Sequence, residues 1–148
     1  PQIAAGIVLV GSYAAGQQIA KAGNTLEKVK MAVSKKENRV KFYKSVGIPH
    51  DLALESTKWP LYALQGNAES FMTFDVREQL SDITVPCLIL HGDSDIVSPL
   101  EPCGYSLRDG LPNAELEVLK TVNHCPMLEE PETINGSLRN FLQHRVTW

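Results

Sequence analysis

Ile7-Val8-Leu9-Val10 is an unbroken apolar run closed by Gly11 and Ser12. Such a run predicts a strand covered on both faces, as inside a parallel sheet. Ile83-Thr84-Val85-Pro86-Cys87-Leu88-Ile89-Leu90 predicts a second buried strand. Leu116 and Val118 then alternate with Glu115 and Glu117, the pattern of a strand with one exposed face. From Pro131 onward Ile134, Leu138, Phe141 and Leu142 recur at i, i+4, i+7 and i+8, which predicts an amphipathic helix opening on a proline.

Between the first two strands, residues 17–79 read as mostly helical. Asn24-Thr25-Leu26-Glu27 has the form of a capping box, with Asn24 as N-cap and Glu27 at N3. Leu26, Val29 and Val33 follow on one face, and Gly47 and Pro49 stop the helix. A second helical stretch over Leu52–Leu64 is interrupted by Pro60, and a third lies near Ser70–Leu80. A short helix is expected within Glu101–Leu111. Strand, helices, strand, helix, strand, helix implies right-handed crossovers. The fold class is α/β, a parallel sheet flanked by helices with a helical insertion. Residues 1–16 hold a core strand and the start of the connection, 17–79 the insertion, and 80–148 the rest of the core.

The chain has 148 residues, 43% hydrophobic and 21% charged, enough for one globular core. A formal net charge of −3 leaves no basic surplus for phosphates, so nucleic acid is not an expected partner. Cys87, Cys103 and Cys125 form neither a disulfide framework nor a metal-ligand spacing, so no metal is expected and a reducing, cytoplasmic compartment is the default. The longest apolar stretches, Ile3–Val10 and Val85–Leu90, are too short to span a bilayer, so no membrane partner is expected.

In sheets of this kind chemistry belongs in loops beyond the carboxyl ends of strands. One such loop is His91-Gly92-Asp93-Ser94-Asp95-Ile96-Val97-Ser98-Pro99, where Gly92 permits a sharp exit. The other is Thr121-Val122-Asn123-His124-Cys125-Pro126-Met127-Leu128-Glu129-Glu130-Pro131-Glu132. A carboxylate on the first can hold an imidazole on the second in one tautomer and stabilise its protonated form. That is two-thirds of a nucleophilic triad, acid before histidine in chain order.

These residues resemble the α/β-hydrolase family. Val85 to Pro99 follows its acid-loop pattern V-P-x-L-x-x-x-G-x-x-D-x-x-x-P, which implies Asp95, and not Asp93, as the catalytic acid. His124 to Pro131 follows its histidine loop H-x-x-x-x-E-x-P, which implies His124 as the catalytic base. Asn123 stands where the family usually has Gly, and Asn also tolerates left-handed backbone geometry. The insertion occupies the place of the family's cap, so the expected architecture is a partial α/β-hydrolase fold. The nucleophile elbow G-x-S-x-G appears nowhere in the chain. The resemblance therefore places the nucleophile in an N-terminal half of the same fold, which becomes the expected partner. It implies that the isolated fragment is inactive.

The implied activity is hydrolysis of a small-molecule ester, lactone or related acyl compound by a Ser-His-Asp triad, without a cofactor. One alternative is an Asp-nucleophile dehalogenase or epoxide hydrolase of the same fold. Another is a non-catalytic ligand-binding or scaffold member. Ile96, Val97 and Met127 are candidate substrate contacts, and Trp59, Tyr62, Phe71 and Met72 candidate linings of a pocket under the cap. Glu129 reads as a brace for the histidine loop through backbone hydrogen bonds or as a cap for the final helix near Pro131, and His91 as a hydrogen-bonded packing residue. Cys125 reads as packing, with a redox-sensitive thiol as the alternative. Ser12 reads as the end of a strand that can line the pocket, with a nucleophile as the alternative.

Overall fold

A computed structural model describes residues 4–146; Ile3, at the start of the first apolar run, lies outside them. Three parallel strands, β1 (Ile7–Val10), β2 (Cys87–Gly92) and β3 (Ala114–Leu119), lie in the order β1-β2-β3. β2 is central and buried at every residue. β1 pairs only with β2 among the described residues, which leaves the backbone groups of its other edge without ladder partners.

The register explains the two cores. Leu9, Ile89 and Leu116 share a rung, while Val10 and Leu90 share the next with Glu117. Successive rungs face opposite ways because side chains alternate along a strand. The first set packs with Ala14, Leu80, Leu107 and Leu111, beneath α6 (Tyr105–Gly110). The second packs with Leu119, Val122, Ile134 and Phe141, beneath α8 (Pro131–His144), which follows the single turn α7 (Pro126–Glu129). On this face of β3 the glutamates are taken up by the end of the molecule: Glu117 accepts from Ser137, and Glu115 pairs with Arg145 at 2.9 Å. Leu142 is 43% exposed, so the apolar stripe of the last helix ends one residue earlier than its spacing predicts.

Between β1 and β2 the chain makes α1 (Gly16–Lys21), α2 (Leu26–Ser34), α3 (Lys36–Ser45), α4 (His50–Glu55) and α5 (Leu61–Thr73). It leaves and returns through one narrow neck. Gly16 N–H donates to the Phe74 carbonyl at 2.8 Å, Val76 N–H donates to Ala14 at 2.9 Å, and Ala15 bridges Asp75 antiparallel.

Several boundaries differ from the sequence expectation. The N-cap of α2 is Thr25, whose hydroxyl accepts from Lys28 N–H; the Asn24 side chain instead donates to the carbonyls of Ile96 and Val97. A tertiary partner outcompetes the local cap. The single helix expected up to Gly47 is two, because Lys35 is extended at φ −115°, ψ 148°. The stretch near Ser70–Leu80 is the end of α5 followed by a 3-10 turn at Arg77–Asp82. The second strand starts at Cys87, not Ile83, and runs to Gly92. No helix among the described residues is long and apolar enough to cross a membrane.

Arg39 holds the helical insertion together. It is 5% exposed and has no carboxylate partner among the described residues; its guanidinium donates to the carbonyls of Val33 (2.6 Å), Ser56 (3.2 Å) and Trp59 (2.8 Å). Val33 and Ser56 lie at the ends of α2 and α4, where carbonyls run short of intrahelical donors, and Trp59 follows the 3-10 turn Ser56–Lys58; the Ser56 carbonyl also accepts from Trp59 N–H at 3.3 Å. Arg39→Met keeps the buried methylenes and removes every donor, so it is expected to destabilise the intact protein by about 2–4 kcal/mol. Urea unfolding measures this, and an unchanged midpoint would show that the three carbonyls find other donors.

Candidate active site

The site forms where the exits of β1 and β2 meet the loop after β3. A Cβ on Gly92 would lie 2.1 Å from the Val122 oxygen and 2.4 Å from that of Asn123, so only glycine lets the two loops press together. The contact is braced at its side. Asp93 N–H donates to Leu119 at 3.0 Å, and the Asp93 carboxylate accepts from Thr121 N–H at 2.7 Å. That N–H, together with Ser94 and Lys120, holds the Asp93 carboxyl below the usual carboxylate range against its modest desolvation. Asp93 is thus a loop brace.

Asp95 turns the other way and is 4% exposed. Its Oδ1 accepts from Val97 N–H (2.8 Å) and Ser98 N–H (2.9 Å), which fixes the carboxylate plane. Its Oδ2 lies 2.9 Å from His124 Nδ1 and accepts from Ser98 Oγ at 3.0 Å. Burial pushes the Asp95 carboxyl up, but the His124 bond and charge, aided by the Ser98 and Val97 amides, outweigh it and leave the group below its ordinary value. Asp95 is therefore ionised at neutral pH.

His124 keeps 30% of its side chain exposed, while the Asp95 side chain is fully covered. An ionised carboxylate only accepts, so Nδ1 carries a proton, and in the neutral ring the lone pair falls on Nε2. Gly11 completes the wall. It has φ +52°, and a Cβ there would lie 3.0 Å from the His124 carbonyl oxygen and 3.4 Å from Asp95 Oδ2. Ser98, fully buried, joins all three loops: its hydroxyl lies 2.7 Å from the Gly11 oxygen, 3.0 Å from Asp95 Oδ2 and 3.4 Å from His124 Nδ1. Sequence reasoning missed Ser98; its signal was a polar residue in the otherwise apolar step Ile96-Val97-x-Pro99.

Glu129 braces the histidine loop, accepting from Asn123 N–H at 2.9 Å and Cys125 N–H at 3.2 Å. The residue with left-handed backbone is Thr121 (φ 60°), not Asn123. Asn123 works through its side chain, which reaches Ile96, His124 and Ser45. Burial pushes the Cys125 thiol up, with the Glu129 and Asp95 charges adding to it, so it is no activated thiolate. His91 is fully buried, with Nε2 2.6 Å from the Ser98 oxygen, and so packs beneath the acid loop.

Under the helices lies an apolar cavity of about 360 Å³. Val97 lines it together with Val29, Val33, Phe42, Tyr43, Trp59 and Phe71. Of the other candidate contacts, Ile96 (52% exposed) and Met127 (46%) stand at the surface, outside its lining, as does Tyr62 at 80%. Met72 is half-buried and also outside the lining. Ser12 donates its hydroxyl to the Val10 carbonyl at 3.3 Å. Among the described residues no cluster of three metal-ligating side chains occurs.

No family model matches the chain. Among curated proteins it is 39% identical over 69 residues to a proline iminopeptidase of Clostridium botulinum, covering 47% of this chain and 23% of that protein. It is 31% identical over 78 residues to the Karrikin insensitive 2 receptor IA of Petunia hybrida, covering 53% of this chain and 28% of the receptor. An esterase structure from Exiguobacterium antarcticum superposes with a TM-score of 0.76 at 21% identity, covering 94% of this chain and 57% of the esterase. The chain thus spans little more than half of that solved structure, and its matched segments span about a quarter of the two curated relatives.

Proposed function

We propose, for a chain that is part of an α/β-hydrolase fold, that it supplies the acid–base side of a Ser-His-Asp triad acting on a small-molecule ester, lactone or related acyl compound. The nucleophile belongs to an N-terminal half of the same fold, which packs along the unpaired edge of β1. The carrying observation is the 2.9 Å contact between buried Asp95 and half-exposed His124.

The chemistry follows from that contact. With Nδ1–H committed to Asp95, the Nε2 lone pair takes the proton of the attacking hydroxyl as it adds to the carbonyl. The imidazolium then returns the proton to the departing alkoxide. Asp95 stays ionised and stabilises the transient positive ring. Backbone N–H groups hold the oxyanion. The apolar cavity receives the hydrocarbon part of the substrate at Val97.

Likeness to a protein named as a receptor favours one second reading, ligand binding without turnover. One experiment separates the readings. Treat the intact protein with a fluorophosphonate, which phosphorylates activated serines, and map the adduct by mass spectrometry. The expected result is one labelled serine outside residues 1–148. An unlabelled protein that turns over an alkyl halide or epoxide points to an Asp nucleophile. An unlabelled protein that binds a small apolar ligand without turnover points to the receptor.

A further inference from the structure

Asn123 sits at the centre of contacts that the acid and histidine loops do not need for their own turns. Its Oδ1 accepts from His124 N–H at 2.9 Å and from Ile96 N–H at 3.2 Å. Its Nδ2 donates to the Ser45 carbonyl at 2.9 Å. The amide orientation is fixed by chemistry, because a flipped group would set a donor against two N–H groups and an acceptor against a carbonyl.

Each partner has a separate meaning. Ile96 follows Asp95, so one oxygen holds the backbone beside the acid and the backbone of the base together. Ser45 ends α3, two residues beyond Tyr43, which with Phe42 walls the cavity. The Ile96 carbonyl is itself taken by Asn24 Nδ2 at 2.7 Å, from the start of the same helical insertion. The tip of the acid loop is thus gripped on one side by Asn24 and on the other by Asn123.

We infer that Asn123 is a positioning residue that holds the Asp95–His124 pair in register and ties it to the cavity wall formed by α3. This rests on the triad reading for its effect on turnover, but not for its effect on the His124 ring. A shift of about 1 Å in a catalytic group can cost on the order of 100-fold in rate. A glycine or alanine at this position would leave two N–H groups and one carbonyl to find other partners.

The test uses the intact protein with Asn123→Ala and Asn123→Asp, read by the low-field NMR proton of His124 Nδ1 and by kcat and KM on an activated ester. Asn123→Ala is expected to broaden the proton by exchange with water and to lower kcat roughly 10–100-fold. Asn123→Asp keeps an oxygen for both N–H groups but sets a carboxylate oxygen against the Ser45 carbonyl. It is expected to recover the proton and most of kcat while raising KM, a split that a merely structural residue would not give. An unchanged proton in Asn123→Ala, or an Asp variant no better than Ala, overturns the inference. Should Asn123→Ala not fold, the Asp variant decides: a retained proton with raised KM supports the assignment, and a lost proton overturns it. Should the unsubstituted protein show the proton but no turnover, the triad reading fails, and the proton alone judges Asn123.

Discussion

His124→Ala is expected to lower turnover of an activated ester by about a million-fold in the intact protein, with the fold retained. The size follows from what the ring does. Without it nothing accepts the proton of the attacking hydroxyl, and nothing returns one to the leaving group. The fold should survive because the carboxylate left behind keeps Val97 N–H, Ser98 N–H and Ser98 Oγ. Steady-state kinetics and a circular dichroism spectrum check both parts. A variant that keeps its rate within about tenfold would remove His124 from the chemistry.

Asp95→Asn is expected to cost on the order of ten-thousand-fold, for a reason visible in the hydrogen bonds. The amides of Val97 and Ser98 require an acceptor, so the new carbonyl oxygen must stay where Oδ1 was. The amide NH2 then falls on the Oδ2 side, facing His124 Nδ1. A donor there forces Nδ1 to accept, and the ring carries its proton on Nε2 instead. The atom that should take a proton already holds one. Nitrogen NMR of the ring reports the tautomer directly. Retention of the Nδ1 proton in the variant, or a rate within about tenfold, would contradict the assignment.

What was legible in the chain were the features set by neighbours in sequence. The apolar runs of β1 and β2, the alternation of β3 and the stripe of α8 all stand near the expected positions because burial imposes those periods. The Asp95 and His124 motifs came together because each sits just beyond a strand of one parallel sheet. The misses have distant causes. Asn24 and Thr25 compete for one cap, and contacts with Ile96 and Val97 more than 70 residues away decide between them. The break at Lys35 carries no Gly or Pro, so nothing local marks it. Asn123 reads in sequence as a residue that tolerates left-handed backbone, which it does not adopt; its partners are reached through its side chain and are Ser45, Ile96 and His124.

The neck at Ala14–Gly16 and Phe74–Val76 makes the helical insertion an excursion whose ends already touch. Closing a detour between joined ends costs free energy that grows only slowly with its length. Helices could therefore be lengthened, deleted or exchanged inside the neck with little strain on the sheet. Asn24 and the Ser45 carbonyl are the handholds such an exchange would have to reproduce, since through them the insertion grips the loops that bear Asp95 and His124. A donor segment with an amide at the first position and a helix end at the second is thus the one expected to graft. If the proposed function holds, the unit to exchange when altering substrate preference is residues 16–74, not individual side chains around the cavity.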